Sequence, residues 1–483
     1  MHGADPRDQR IADLEAIVEA QRHEICEIVE LKAALKAALE RIAVLEERLN
    51  RNSRNSSKPP SSDPPWQKPS KGHHSKRKHG AQPGHEKHER QLVPAEKVTE
   101  TVELKPTECE ACGAKLLGND EDPLIHQVIE VPKVEPHVTE YHIHTLRCGC
   151  GACTTAQLPD GVTASGFGTG CKALVTLLTG KYRLSKQSVV ELMSDVFGID
   201  LSMGMVSKME RQVSAALAFA YDEAKAHVKK QPVLHADETG WREAGKKAWL
   251  WTAVAVTTMV AVFKIAAKRS AEVAKELLGD GFEGIGVSDR YTSYLWLKCR
   301  QLCWAHLLRD FQAMVDRGGG GRKIGLELLH EAKRMFKWWH KVRDGTMPRE
   351  RFIKNMSSVI NRVGELLEKG THCRSSKTAS VCREIQALEK WLWAFVYVDG
   401  VEPTNNAAER ALRFAVIWRK ICYGTQSETG SRFVERMLTV VTTLRMQERG
   451  VLPFLKASID AHTTGSEAPS LLFQPALSLE SAA

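Results

Sequence analysis

The sequence predicts a multidomain α/β protein, and three observations predict it. The chain has 483 residues, more than one hydrophobic core holds, so two to four domains are expected. Between Pro232 and Asp289 the residues read as strand, acid, apolar hairpin, helix, strand and acid, which is the order of an RNase H-like sheet. Helical periodicity without strand signals then runs from Phe311 to Gly400. The fold expected is an RNase H-like core with an all-helical insertion, preceded by a coiled coil, a basic linker and a zinc ribbon.

Composition narrows the class. A hydrophobic content of 42% and a charged content of 26% are those of a soluble globular protein. The formal net charge is +9, and ten Lys or Arg stand against three acids between Arg51 and Arg90, which favours a polyanionic partner. The longest charge-free run, Ala248 to Phe263, is too short to span a bilayer, so no membrane partner is expected. No export signal is visible at the N-terminus, and the expected location is the cytoplasm. Twelve Cys in a reducing compartment read as thiols or metal ligands.

In chain order, residues 1–50 read as one helical segment in which a heptad frame fits from Leu14 to Leu49, with Leu14, Gln21, Ile28, Leu35, Ile42 and Leu49 at a and Ile17, Glu24, Leu31, Ala38 and Leu45 at d. Nine of these eleven are apolar, which predicts a coiled coil and a homo-oligomer. Residues 51–95 are rich in Ser, Pro, Lys and His and predict a disordered basic linker whose Arg51, Arg54, Lys58, Lys76, Arg77 and Lys78 meet DNA phosphates. Residues 96–165 contain Cys109-Glu110-Ala111-Cys112-Gly113 and Cys148-Gly149-Cys150-Gly151-Ala152-Cys153, separated by a strand-like stretch from Val128 to His144. Paired thiolates at this spacing predict a closed structural zinc site made of Cys109, Cys112, Cys150 and Cys153, with Cys148 as a possible substitute in the second pair.

Residues 166–230 are helical. Ser185 to Phe197 predicts one helix, Gly198 to Leu201 a turn, and Ser202 the N-cap of a second helix bearing Lys208 and Arg211. This is either a helix-turn-helix that reads DNA or an ordinary packing pair. The catalytic domain is expected over 231–436, with its insertion at about 311–400, and a C-terminal helix and tail over 437–483.

Within that domain, Asp237 is expected at a strand end before a Gly240 turn, and Asp289 at the end of a second strand. Although 52 residues apart, the two acids meet if those strands are neighbours. The third acid, Glu409, opens a helix after Pro403-Thr404-Asn405-Asn406. Asn406 as N-cap would place Glu409 in a capping box, and Arg413 is available for an i, i+4 pair, so Glu409 has structural readings beside the catalytic one. Adjacent Glu238 is expected on the opposite strand face from Asp237. Arg410, Arg413, Arg419 and Lys420 line a basic helix suited to phosphate.

These residues resemble the insertion sequence 66 family of DDE transposases. The resemblance rests on the Asn52 to Ser62 stretch, Asp237-Glu238-Thr239, Asp289-Arg290-Tyr291, Cys303-Trp304-Ala305-His306 and Pro403 to Arg410. It implies an acidic triad of Asp237, Asp289 and Glu409 holding Mg²⁺ or Mn²⁺, two ions about 4 Å apart, for strand cleavage and strand transfer on double-stranded DNA. It also implies accessory proteins of the same element and a bacterial, nucleoid-associated location. Three places depart from the family pattern: Arg290 stands where Gly is common, Leu308-Arg309-Asp310 where consecutive basic residues are common, and the second Cys cluster has an extra Cys. The competing functions are an RNase H-like nuclease that does not join strands, and a zinc-containing DNA-binding regulator without catalysis.

Overall fold

A computed structural model describes residues 6–56, 58, 63, 91–162 and 165–472. Lys76, Arg77 and Lys78, with most of the predicted linker, lie outside the described residues. The chain divides into two units, one of Met1–Pro64, Glu140–Glu191 and Leu201–Ala483 and the other of Pro65–Thr139 and Leu192–Asp200.

The helices and strands are, in order, α1 (Pro6–Leu49), β1 (Thr145–Arg147), β2 (Cys153–Thr155), α2 (Thr169–Gly180), α3 (Lys186–Phe197), α4 (Met203–Ala216), α5 (Ala218–Val228), β3 (Val233–Glu243), β4 (Lys246–Ala255) and β5 (Val260–Ala266). There follow α6 (Ala271–Leu278), β6 (Ile285–Ser288), β7 (Cys299–Leu302), α7 (Trp304–Arg317), α8 (Gly319–Arg343), α9 (Arg349–Thr371) and α10 (Ser376–Ala387). The last are α11 (Ala394–Tyr397), α12 (Asn406–Cys422), α13 (Glu428–Met446) and α14 (Val451–Thr464).

Five strands form a mixed sheet in the order β5-β4-β3-β6-β7. β3, β4 and β5 are antiparallel neighbours, whereas β6 runs parallel to both β3 and β7. Alternation along β3 splits its side chains between two cores. Leu234 and Ala236 enter a core shared with α2, α5, α6, α12, α13 and α14, and Val233 enters one built with α7 to α11.

The turn after β3 is not at Gly240. β3 continues to Glu243, and Ala244-Gly245, both with positive φ (49° and 73°), close a two-residue hairpin in which Glu243 pairs with Lys246. Two consecutive left-handed residues match the strand twist, and Gly245 adopts its conformation without steric cost. Asp237 therefore lies within a strand rather than at its end.

The outer edge of β5 is covered by α13. The N–H groups of Ala261 and Phe263 donate to Thr443 Oγ1 (3.0 Å) and Thr439 Oγ1 (3.1 Å), and that of Ile265 to Glu435 Oε1. Alternate strand residues meet helix residues four apart because both repeats advance about 6–7 Å. Polar side chains thus satisfy an edge that would otherwise be open to pairing.

The insertion is helical, as expected, and Gly319 to Gly321 begin its helix α8. Trp304, Trp339 and Trp393 are buried in its core. Two other expectations meet a different local structure. The stretch from Val128 to His144 forms no strand, and Val128, Val131 and Val138 are exposed there, since alternation without a partner strand leaves the ladder unmet. Asn52 to Ser56, expected to be disordered, form a hydrogen-bonded turn: Asn52 N donates to Asn55 Oδ1 (2.8 Å) and Arg54 N to Asn52 Oδ1 (2.9 Å). Asn side chains close such turns locally without a core.

This turn and the end of α1 meet α7 and α10. Asn55 Nδ2 donates to Asp316 (3.0 Å), and Glu47 pairs with Arg317 (3.8 Å) and Lys377. The apolar seam of α1, including Leu14, Ile28, Leu35, Ile42 and Leu49, is exposed along the single chain.

α3 ends at Gly198, whose φ of 61° permits the N–H of Ile199 to reach Met193 O (3.0 Å). Ser202 caps α4 by accepting from Met205 N (3.1 Å). Val206, Met209 and Val213 bury one face of α4, and Lys208 and Arg211 are exposed.

Candidate active site

The register of β3 against β6 sets the first two acids. Val233 pairs with Ile285, Leu234 with Gly286 and His235 with Val287, so the same register carried two residues further brings Asp237 level with Asp289. Neighbouring strands lie about 4.8 Å apart, which brings acids distant in sequence close in space. Both are half-buried, and each accepts one local backbone bond: Glu238 N to Asp237 Oδ1 and Tyr291 N to Asp289 Oδ1, both 2.9 Å.

Glu409 arrives on α12, which is fastened to β3 along its length. At the start, Asn405 Nδ2 donates to Ala236 O (2.7 Å) and Asn405 N to Cys303 Sγ (3.1 Å). Further along, Arg419 donates to Gly240 O and to Thr239 Oγ1 (3.3 Å). Past its end, Thr425 N donates to Arg242 O (2.9 Å), and Gly424, with φ of 121°, passes so close to β3 that a Cβ would lie 2.3 Å from Arg242 O.

These contacts correct two expectations. α12 begins at Asn406, so Asn405 rather than Asn406 is the N-cap residue, and its side chain is committed to β3 instead of capping. Glu409 consequently lies one position beyond a capping box, and its ion-pair partners are His306 (3.7 Å) and Arg309 (3.9 Å) rather than Arg413. Arg419, expected to contact phosphate, is half-buried against β3; Arg410, Arg413 and Lys420 are exposed on the same helix.

The carboxyl of Asp237 is held well above its ordinary value, first by burial and then by the charges of Glu238, Asp289 and Glu409. The charges of the other two acids named from sequence, Asp289 and Glu409, therefore both reach Asp237. Among the described residues no ion pair reaches Asp237 or Asp289.

Glu238 lies on the opposite face, buried, where it accepts from Arg269 Nε (2.7 Å) and Tyr294 OH. The Arg269 guanidinium stacks on Tyr291, 3.4 Å from the ring centroid, and thereby links the segments that carry Asp237 and Asp289.

Arg290 and Asp310, at two of the departures from the family pattern, pair at 2.7 Å. Burial raises the Asp310 carboxyl, and Arg290 draws it down. The charge introduced at 290 is thus met by the acid at 310.

Sequence reasoning missed Arg300, a buried cation on β7 that donates to Asp289 O (2.9 Å) and Ser288 Oγ (3.2 Å). Burial lowers its guanidinium to about 10. The strand Cys299-Arg300-Gln301-Leu302 is too short and too polar to mark Arg300 as a buried cation from sequence. Burial pushes the Cys303 thiol up to about 11; burial and then the Arg309 charge hold His306 below its ordinary value.

In one unit, Cys109 and Cys112 sit on a tight turn, with Gly113 N donating to Cys109 O (2.8 Å), and backbone N–H groups of Ala111 and Cys112 lower the Cys109 thiol. In the other, Cys148 is held below the ordinary thiol value by the backbone and side chain of Cys150, while Cys153 pairs with Arg147 in the β1–β2 hairpin. The second turn thus centres on Cys148 and Cys150, which brings the possible substitute to the fore.

No described helix is long and apolar enough to cross a membrane. Residues 4–91 match a family of unknown function, DUF6444. An uncharacterized protein of Sinorhizobium fredii, y4hP, is 27% identical over 382 residues, 71% of this chain and 68% of that protein. A second from that organism, y4qI, is 26% identical over 399 residues, 75% of this chain and 72% of that protein. Residues 170–432 match the transposase IS66 family, over more than half of the chain and across Asp237, Asp289 and Glu409 with the elements that carry them; the chain belongs to the IS66 family of transposases.

Proposed function

We propose that the chain cleaves DNA at the ends of an insertion sequence and joins those ends to target DNA, by metal-dependent phosphoryl transfer at Asp237, Asp289 and Glu409 in an RNase H-like core. Membership of a transposase family makes it a nucleic-acid-processing enzyme. The DDE reading is carried by one observation: burial and then the charges of Glu238, Asp289 and Glu409 raise the Asp237 carboxyl, and the β3–β6 register brings Asp289 level with it. The strand order, with three antiparallel strands followed by two parallel ones, supports the RNase H-like reading.

The donor set fits a hard divalent cation. Three carboxylates, two of them in no ion pair among the described residues and with the charges of Asp289 and Glu409 both bearing on Asp237, match the oxygen ligands that Mg²⁺ or Mn²⁺ prefers. Such an ion would supply Lewis-acid activation of the attacking hydroxyl and stabilise the leaving oxygen. The chain's residues do the positioning: the Asn405 and Arg419 bonds hold α12 against β3, Arg300 fixes the Asp289 backbone, and Arg410, Arg413 and Lys420 face solvent where phosphates can approach. Arg51, Arg54, Lys58, Lys208 and Arg211 extend the proposed DNA contacts, the Cys turns bind structural zinc, and the exposed seam of α1 pairs with a second copy.

The test is a strand-transfer assay with element-end DNA and Mg²⁺, with Asp237→Asn as control. Cleavage and joining by the wild type alone support the proposal. Cleavage without joining favours the nuclease, and DNA binding without cleavage favours the regulator.

A further inference from the structure

Two polar atoms beside the acid cluster are buried without a hydrogen-bond partner and face one another: His306 Nδ1 and Glu409 Oε1, 3.7 Å apart. That separation is too long for a hydrogen bond. It is close to the roughly 3.4 Å that would separate a nitrogen and an oxygen bound to one tetrahedral ion through bonds of about 2.0–2.1 Å. Leaving both unpaired leaves their desolvation uncompensated, and a shared cation would compensate it.

A third ligand completes the set. Cys303 lies one turn before His306 at the start of α7, and one ligand atom from each of Cys303, His306 and Glu409 lies within 4.8 Å of the others. Among the described residues this is the one such group, and neither Asp237 nor Asp289 belongs to it. Backbone bonds hold it in place: Cys303 N donates to Ser288 O (2.9 Å) and His306 N to Cys303 O (3.1 Å), and the thiol sulfur accepts from Asn405 N. The site is thus tied to the end of β6 and the start of α12.

Sulfur and imidazole ligands are poor partners for Mg²⁺ and good ones for borderline ions. We propose that Cys303, His306 and Glu409 form a separate site for a divalent ion of the zinc class, Zn²⁺ or Co²⁺, with the fourth position open to water. Because it shares Glu409, an ion there withdraws that carboxylate from Asp237 and Asp289. This last consequence, inhibition by zinc, rests on the proposed catalytic reading; the binding site does not.

The experiment uses full-length protein stripped with chelator, without DNA, and measures bound Co²⁺ per chain together with the thiolate-to-cobalt charge-transfer band. Cys303→Ser, close in size to the native residue, and the less buried substitution His306→Gln are each expected to lose one equivalent. Cys109→Ser, which addresses the Cys turns, should retain that equivalent, and Cys109→Ser with Cys303→Ser should lose both. Unchanged cobalt content and band intensity in folded Cys303→Ser and His306→Gln, checked by circular dichroism, would overturn the site. Since DNA is absent, this result stands apart from the outcome of the strand-transfer assay.

Discussion

The side-chain amide of Asn405 donates to the carbonyl oxygen of Ala236 at 2.7 Å, and so joins the residue before α12 to the residue before Asp237. Four residues beyond Asn405, in the first turn of the same helix, stands Glu409, whose N–H donates to Asn405 O (3.1 Å). The third acid is therefore placed by a bond to the strand that bears the first.

Asn405→Ala leaves Ala236 O without this donor inside the core. A stability loss of about 1–3 kcal/mol is expected. Misplacement of Glu409 should lower strand cleavage by on the order of 100-fold. Thermal unfolding and single-turnover cleavage, measured on the same preparation, separate the two. An activity loss no larger than the loss of folded protein would leave Asn405 without a positioning role.

Asp237→Asn should abolish cleavage and raise the melting temperature of the metal-free protein above pH 7. The sign follows from the raised Asp237 carboxyl. An acid whose folded-state value exceeds its unfolded one contributes most at low pH, and that contribution is lost as pH rises through the native value. Asn removes the charge and with it the loss. Added Mg²⁺ should stabilise the wild type and not the variant, which differential scanning calorimetry reads directly.

Glu435 gives a second pH dependence, away from the acids. Burial raises its carboxyl to about 7 from an ordinary 4.5, although Arg432 lies 2.9 Å away. Stability from this group is present below pH 4.5 and falls as pH rises to about 7, by on the order of 3 kcal/mol. Glu435→Gln keeps an oxygen for Ile265 N and should flatten that slope in urea unfolding between pH 5 and 8.

Arg290 and Asp310 should couple in a double-mutant cycle. Each of Arg290→Ala and Asp310→Asn is expected to destabilise, and the double variant to lose less than their total, by about 0.5–3 kcal/mol. Strict additivity would show that the 2.7 Å pair contributes nothing to stability.

Gly424→Ala adds a Cβ 2.3 Å from Arg242 O at a φ of 121°. Both the clash and the strain act at the point where the chain leaves α12 and meets β3. A loss of at least about 1–3 kcal/mol is expected, read from the urea midpoint. Wild-type stability in this variant would mean that the loop between α12 and α13 can move away from β3 without cost.

The sequence alone carried what local periodicity and residue chemistry carry. Alternation between Ala248 and Ile265 announced the β4–β5 hairpin and Ser202 its helix cap, and two of the acids it singled out, Asp289 and Glu409, place their charge on the third, Asp237. It also anticipated that Glu238 would leave Asp237's face, because strand side chains alternate.

The turn at Ala244-Gly245 and the commitment of Arg419 to β3 were decided by tertiary structure. A Gly signals a turn only where its backbone needs positive φ, and Gly240 sits within a strand. An Arg on a basic helix reads as a phosphate ligand until a carbonyl across the fold takes its donors. Local signals specify which groups a segment offers; which partner each finally takes depends on contacts between residues more than 100 positions apart, such as Asn405 with Ala236 and Arg419 with Thr239, and those come into being only when the sheet and α12 pack together.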